Sequence, residues 1–160
     1  MAVINAYVNA NTKNVFNRGG EVVVMETQFE VAVADSDGSI YRLFRVNGNM
    51  IPVRIDINCD AITGATSYDL GLYDTLENGG VVKDKDILMA AANISAGKAI
   101  GSEQNGMASL TIANIGKEVY ELAGDANVTP EMEYDLALTA NTVGSGTGTV
   151  AIRAIFVKSA

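Results

Sequence analysis

The sequence of 160 residues contains no histidine, no tryptophan and only one cysteine. Histidine is the side chain that most often serves as a general base, as the partner of a nucleophile or as a metal ligand. Its absence weighs against an enzyme, and we expect no catalytic residues, no metal and no cofactor. Cys59 cannot form an intrachain disulfide, and its place on the apolar side of an alternating run predicts an inert core thiol.

Positive charge and long apolar runs are scarce as well. Eleven Lys and Arg residues face 19 Asp and Glu residues, which gives a formal net charge of −8. Nucleic acids and anionic lipids are bound mainly through Lys and Arg, so neither nucleic acid nor membrane is an expected partner. No segment approaches the roughly 20 apolar residues of a membrane-spanning helix. The first residues lack the basic and apolar regions of a secretory signal, so we expect a protein that stays where it is made or leaves by another route.

Alternation of apolar and polar residues is the main pattern in the chain, and it is clearest at residues 51–60 and 68–74. The apolar side of these two runs holds Val53, Ile55, Ile57, Cys59, Tyr68, Leu70 and Leu72. A period of two predicts half-buried strands, and the short polar break between the runs predicts a core hairpin. Similar runs occur at 21–34, 40–46, 134–139 and 150–156, separated by Gly-, Asn- and Asp-rich turns. This rhythm is typical of a β-sandwich or barrel.

Two segments depart from the alternation. Residues 81–112 fit a long and partly irregular surface excursion, whereas residues 114–124 predict a helix with Asn114 as N-cap and Ile115, Val119 and Leu122 on one face. The similar pentapeptides at 68–72 and 134–138 suggest matching core strands in two sheets. We therefore predict an all-β sandwich of about eight strands with one short helix.

Residues 1–20 are predicted to form an extended N-terminal arm, and residues 21–160 a single β-sandwich domain. Ordering about 20 residues costs roughly 1–2 kcal/mol each in backbone entropy, whereas burial of four apolar side chains returns on the order of 8 kcal/mol. The arm therefore needs a sheet edge or a partner. Its expected anchors are Ile4, Tyr7, Val8 and Phe16. The alternative is that residues 2–9 are simply the first strand.

No short motif in the sequence carries chemistry. Residues 35–38 begin like a calcium loop but lack its later ligands, which favours a plain turn. Paired carboxylates can hydrolyse glycosidic bonds, but Asp56, Asp69 and Asp135 are expected on the solvated outer faces of strands. A hydrolase is therefore a remote option.

Several stretches resemble the small decoration, or cement, proteins of tailed-bacteriophage capsids. They are residues 53–57, 61–74, 78–84, 118–124 and 134–143, followed by a glycine-rich loop and a terminal strand. The resemblance implies a jelly-roll β-sandwich that sits on the outside of an icosahedral head and bridges neighbouring subunits of the major capsid protein. It also implies a virion component assembled in the host cytoplasm as a homo-oligomer, either a dimer or a trimer. Residues 1–20 have no counterpart in it, so their docking role is inferred from the residues alone.

A carbohydrate-binding sandwich, or the receptor-binding tip of a tail fibre, is the alternative function. Such modules usually stack sugars on exposed Trp or Tyr rings. The chain has no Trp, and Tyr68, Tyr73 and Tyr134 fall within predicted strands. This alternative therefore ranks second.

Overall fold

The computed structural model describes residues 3–5, 13–17, 20–126 and 132–158. These residues contain ten strands and one α-helix, α1 (Val119–Leu122). The strands are β1 (Val3–Asn5), β2 (Lys13–Asn17), β3 (Gly20–Val31), β4 (Ser39–Asn47), β5 (Met50–Cys59), β6 (Ser67–Asp74), β7 (Val82–Ala92), β8 (Gln104–Asn105), β9 (Glu133–Thr142) and β10 (Gly148–Lys158).

The strands form two sheets with the orders β1-β4-β9-β6-β7 and β2-β3-β10-β5-β8. Strands β3 to β10 pair in a nested way: β3 with β10, β4 with β9, β5 with β8, and β6 with β7, all antiparallel. This nesting, with four strands in each sheet, is the jelly-roll arrangement. The predicted all-β, jelly-roll-like sandwich is confirmed.

The hydrophobic core lies between the two sheets. Alternate residues of each strand point into it, and along β10 these are Val150, Ile152, Ala154 and Phe156. Burial of each large aliphatic or aromatic side chain contributes roughly 1.5–3 kcal/mol. The ring of Tyr41 stacks on that of Phe29 with their centres 4.6 Å apart, which joins the two sheets near the loop that connects β3 to β4.

Strands β1 and β2 lie outside the nested pairs and extend one edge of each sheet. β1 runs parallel to residues 40–42 of β4, and β2 runs antiparallel to residues 20–24 of β3. The eight-strand arrangement is complete without them.

The predicted hairpin over residues 51–74 is wrong. β5 lies between β10 and β8 in one sheet, whereas β6 lies between β9 and β7 in the other. Residues 60–66 therefore carry the chain from one sheet to the other. Alternation shows that each strand has an apolar face, but it does not show which strands are neighbours.

A bulge changes which residues of β5 face the core. Phe156 of β10 lies beside Pro52, and the preceding Ile155 lies beside Arg54. Val53 is the additional residue between these pairs, and it is 54% exposed although the alternation predicts it on the apolar side.

The two similar pentapeptides lie in the same sheet, not in opposite sheets as predicted. β6 and β9 are adjacent and antiparallel, with Leu70 beside Leu138 and Leu72 beside Leu136. Their leucines therefore pack on the same side of the core.

β7 occupies part of the segment predicted as an irregular excursion. Leu70 of β6 lies beside Met89, but Leu72 lies beside Asp84, so β7 holds several additional residues between the two pairs. Such a bulge disrupts the period of two, which explains why the pattern does not indicate a strand here.

The helix is shorter than predicted. It spans four residues, its N-cap is Glu118 and not Asn114, and Glu118 and Glu121 form a capping box. Val119 and Leu122 are buried as expected, but Ile115 is 67% exposed. In the part of the chain that the structure describes, no helix is long and apolar enough to cross a membrane.

Candidate interaction surfaces

Four residues are predicted as partner contacts: Ile4, Tyr7, Val8 and Phe16. The backbone of Ile4 lies in β1 beside Tyr41, and that of Phe16 lies in β2 beside Glu21. These positions are at the edges of different sheets. Tyr7 and Val8 lie outside the described residues, and the contact role of all four remains a prediction.

A buried ion pair occupies the outer face of the sheet that contains β4 and β9. The register places Arg42 beside Ala137 and Arg45 beside Asp135, so both arginines share the outer face with Asp135. Arg42 Nη1 lies 2.6 Å from Asp135 Oδ2, and the two side chains are 2% and 0% exposed. Because removing two charges from water is costly, a pair this deeply buried needs additional hydrogen bonds.

The remaining contacts of Arg42 tie the chain after β6 to β4. Arg42 donates hydrogen bonds to the carbonyl oxygens of Asp74, at 2.8 Å, and Gly80, at 2.9 Å. Its guanidinium carbon lies 5.4 Å from the centre of the Tyr73 ring, which is within the range of a cation–π contact. At the exposed margin of the same face, Arg45 donates a 2.6 Å hydrogen bond to Glu77.

Asp69 and Asp135 are not the solvated carboxylates that the alternation predicts, since they are only 3% and 0% exposed. Residues 84–85 of β7 lie against the outer face of β6 at Gly71, where a Cβ atom would overlap the carbonyl oxygen of Asp84. The bulge in β7 therefore covers this face, and period-two alternation gives no sign of such a cover.

Asp69 is stabilised as an anion beneath this cover. It accepts a 2.8 Å hydrogen bond from the Ala91 N–H and lies 2.9 Å from Lys85 Nζ. Burial alone would raise the pKa of Asp69, but the hydrogen bonds from Ala91, Asn141 and Lys85 hold the pKa below its usual value. The carboxylate therefore serves to anchor β7 to β6.

A second polar group joins the segment after α1 to β7 and β9. The Tyr134 hydroxyl donates a 2.6 Å hydrogen bond to Asp125, and Lys83 Nζ donates one of 3.1 Å to the same carboxylate. The hydrogen bond from the Tyr134 hydroxyl, and then that from Lys83, lower the pKa of Asp125. Burial, and then the hydrogen bond to Asp125, raise the pKa of Tyr134. Each of these groups has a partner inside the fold.

The remaining titratable side chains form no metal site within the described ranges. No group of three or more Cys, Asp and Glu residues there could hold a metal ion. Burial, followed by the neighbouring Asp86, raises the pKa of Asp84. Burial likewise raises the pKa of the Cys59 thiol, which packs at the margin of the core.

The tyrosines give little support to a sugar-stacking surface. Four of them are buried: Tyr41, Tyr68, Tyr73 and Tyr134. Their hydroxyl groups bond inside the protein, as shown by the 3.0 Å hydrogen bond that Tyr68 donates to the Val143 carbonyl. These rings cannot lie against a sugar without unfolding the strands that carry them.

One end of the sandwich is acidic and firmly hydrogen-bonded. The topology places there the connections at 32–38, 60–66, 93–103 and 143–147, which contain four acids and one lysine, a net charge of −3 (1 − 4). Asp35, Asp37 and Asp60 accept hydrogen bonds from the backbone N–H groups of Ala32, Val143 and Thr149. These carboxylates therefore stabilise the loops while leaving the end negatively charged.

The outer face of the sheet that contains β3, β10 and β5 carries what we call the aliphatic patch. It consists of Val22, Val24, Ile51, Val53, Ile155 and Val157, none of which is fully buried. Alternation within each strand does not predict this patch. Its signal is present, however, because three consecutive apolar residues, at 22–24 and again at 155–157, place apolar side chains on both faces of a strand.

From the aliphatic patch along the strands toward the acidic end of the sandwich, the same face carries first charged and then polar residues. Arg153 lies 2.6 Å from Glu26, and Arg54 lies 2.7 Å from Asp56, so the local charge is balanced. The next row contains Gln28, Ala151 and Asn58.

Ile100 projects beside this polar row and is 91% exposed. It borders an open groove of about 490 Å³ whose floor includes Ala151.

The described residues thus form a jelly-roll sandwich whose candidate functional features are outer surfaces. No protein-family model matches the sequence, and no curated protein matches it. Among solved structures, a chain in the capsid of Ralstonia phage GP4 superposes with a TM-score of 0.64 at 17% identity, covering 99% of both chains. A chain in the capsid asymmetric unit of cyanophage Pam1 superposes with a TM-score of 0.55 at 13% identity, covering 90% of this chain and 89% of the other. At such identities the likeness shows a shared fold.

Proposed function

We propose that this protein is a capsid decoration, or cement, protein that binds the outer surface of a phage head and stabilises the lattice of the major capsid protein. The observation that carries the proposal is the likeness of fold to a chain of the Ralstonia phage GP4 capsid over 99% of both chains. The resemblance of several stretches to decoration proteins supports the same class from the sequence, namely residues 53–57, 61–74, 78–84, 118–124 and 134–143. The protein is then a non-enzymatic component of the virion, assembled in the host cytoplasm.

The sandwich is suited to a mechanical role. Its loops at the acidic end are bonded to one another, as in the 2.8 Å hydrogen bond from the Ser145 N–H to the Thr63 carbonyl. Rigid copies arrayed on a symmetric lattice as dimers or trimers multiply weak contacts, because each additional contact becomes intramolecular once the first has formed.

The arm at residues 1–20 is the proposed attachment segment, with Ile4, Tyr7, Val8 and Phe16 as its anchors. The position of β1 and β2 outside the nested pairs supports this role, since the sandwich does not need them for closure. In the proposed mechanism the arm adds a strand to a capsid subunit, where backbone hydrogen bonds supply affinity and side-chain pockets supply specificity.

The test is to mix the purified protein with phage heads assembled without it and to measure co-sedimentation. Full-length protein is expected to bind until it saturates the heads. A variant lacking residues 2–17 is expected to keep its β-rich circular dichroism spectrum and a cooperative melt but to remain in the supernatant.

The two parts of the proposal fail in different ways. If the full-length protein does not bind heads, the decoration function is wrong. If the shortened variant coats heads as completely as the full-length protein, the function stands and the role of the arm is wrong.

A further inference from the structure

We infer that the outer face of β3, β10 and β5 pairs with the same face of a second copy of this chain, so that Ile100 of each copy contacts the aliphatic patch of the other. The inference rests on the proposed function only for its biological setting, the oligomer on a phage head. It is tested on the free protein, so it can fail while attachment to heads succeeds.

The geometry of the face favours two equivalent contacts. Val157 lies in the row that forms one end of the aliphatic patch, and Ala151, beside Ile100, lies six residues away along β10. At about 3.3 Å per residue, the two rows are about 20 Å apart. Consider a two-fold axis that lies parallel to the face and perpendicular to the strands, midway between these rows. It places the Val157 row of one copy opposite the Ala151 row of the other, so Ile100 of each copy meets the aliphatic patch of its partner.

The same rotation aligns opposite charges. Between the row of Val157 and the row of Ala151 lie one row that contains Arg54 and one that contains Asp56, and the axis exchanges these as well. Arg54 of each copy therefore faces Asp56 of the other. The rotation therefore matches opposite charges along β5, while the Arg153–Glu26 ion pair of each copy faces Ile155 and Val24 of the other.

The distribution of charge favours this face over the acidic end for contact with a second copy. Two molecules that each carry a net charge of −8 repel one another. The acidic end of the sandwich has a net charge of −3, whereas on this face Arg54 and Arg153 offset two of the three acids, Glu26, Glu30 and Asp56. A second copy therefore meets less local repulsion here than at the acidic end, and it covers apolar surface.

The face is also large enough for a specific contact. Its longest strand, β3, has 12 residues, so the face is roughly 36–40 Å long, and three strands at a spacing of about 4.8 Å give a width of about 14 Å. Stacking over the whole face covers roughly 500–560 Å² per copy, and the total for two copies reaches the roughly 1,000 Å² that a specific interface needs.

The test uses a pair of charge variants, Ile100→Lys and Val157→Asp, in sedimentation equilibrium of the free protein. The full chain is expected to form dimers, and each variant alone is expected to raise the dimer dissociation constant at least about tenfold by placing a charge in an apolar contact. An equimolar mixture of the two is expected to recover dimers. In the mixed pair one contact is the native one, and the other places the introduced lysine of one copy against the introduced aspartate of its partner.

Matched controls separate this contact from a general effect of charge. Ile112→Lys changes another isoleucine that is 91% exposed, and Val33→Asp changes a valine that is 66% exposed. Both are expected to dimerise like the unmodified protein, and circular dichroism checks the fold of every variant.

The inference is overturned if the unmodified protein is monomeric at its highest soluble concentration, if either variant dimerises normally, or if the mixture stays monomeric. Loss of head binding by Val157→Asp with unchanged self-association would assign the aliphatic patch to the capsid instead, and would also overturn it. A monomeric Ile100→Lys variant that still binds heads supports the contact between copies and shows that attachment to heads does not depend on it.

Discussion

Replacing Arg42 with methionine should strongly destabilise the sandwich. Methionine keeps much of the length and apolar volume of arginine, so the change removes mainly the charge and the donors. Asp135 would lose its 2.6 Å ion pair while remaining buried, and the carbonyl oxygens of Asp74 and Gly80 would each lose a hydrogen bond. Arg45 Nε, at 3.6 Å from Asp135, offers only a distant replacement.

The expected cost follows from leaving a buried charge without its main partner. Breaking such a pair from one side typically costs about 3–5 kcal/mol. In a domain of this size each 1 kcal/mol lowers the melting temperature by roughly 2–4 °C, so a decrease of about 6–20 °C is expected. The double variant Arg42→Met with Asp135→Leu removes both charges and should recover at least half of the loss, because replacing both members of a buried pair with apolar residues is often nearly neutral.

The assay is urea unfolding at neutral pH, followed by circular dichroism, with calorimetry of the same samples. Glu26→Gln, which removes the exposed partner of Arg153, is the control and should change the free energy of unfolding by no more than about 1 kcal/mol. A cost below about 1 kcal/mol for Arg42→Met, or a double variant less stable than either single variant, would refute the reasoning.

Two further predictions concern the cover over β6 and the response to acid. Gly71→Ala should lower the free energy of unfolding in urea by about 3 kcal/mol or more, because the new Cβ atom overlaps the backbone of β7. The control, Gly116→Ala, has a φ of 81° and open space around it, so it should cost only about 1–2 kcal/mol. Equal costs for the two variants would contradict the close packing of β7 on β6. The lowered pKa values of Asp69 and Asp125 mean that the unfolded chain binds these protons more readily, so stability is kept above about pH 4 and lost as pH falls through the lowered values. Asp69→Asn and Asp125→Asn should each reduce stability at pH 7 and flatten this acid decline, and an unchanged slope would contradict the assignment.

The class of fold can be predicted from the sequence because alternation survives in most strands. Tyr134, Leu136 and Leu138 all face the core as their spacing predicts. Alternation is a local property, however, and the partner of each strand depends on contacts between residues far apart in sequence. This is why the pattern at residues 51–74 predicts a hairpin although β5 and β6 lie in different sheets.

Bulges account for much of the remaining difference. One additional residue at Val53 reverses its expected orientation, and the longer bulge in β7 covers the outer face of β6 and buries Asp69. Neither bulge has a clear signal in the sequence. Gly71 is the nearest to one, since a glycine inside a strand often marks a close approach of another backbone.

The candidate surfaces were predictable only in part. The aliphatic patch could have been found from the apolar triplets at 22–24 and 155–157, which leave an apolar side chain on the outer face. The exposed Ile100 could not, because it lies in an irregular loop where no period separates buried from exposed residues.

The most direct test of the central claim is electron cryo-microscopy of phage heads assembled with and without this chain. The account predicts additional density on the outside of the shell, repeated with the symmetry of the capsid and fitted by the two-sheet sandwich. Maps that are identical with and without the chain, or density found only inside the shell or on the tail, would contradict it.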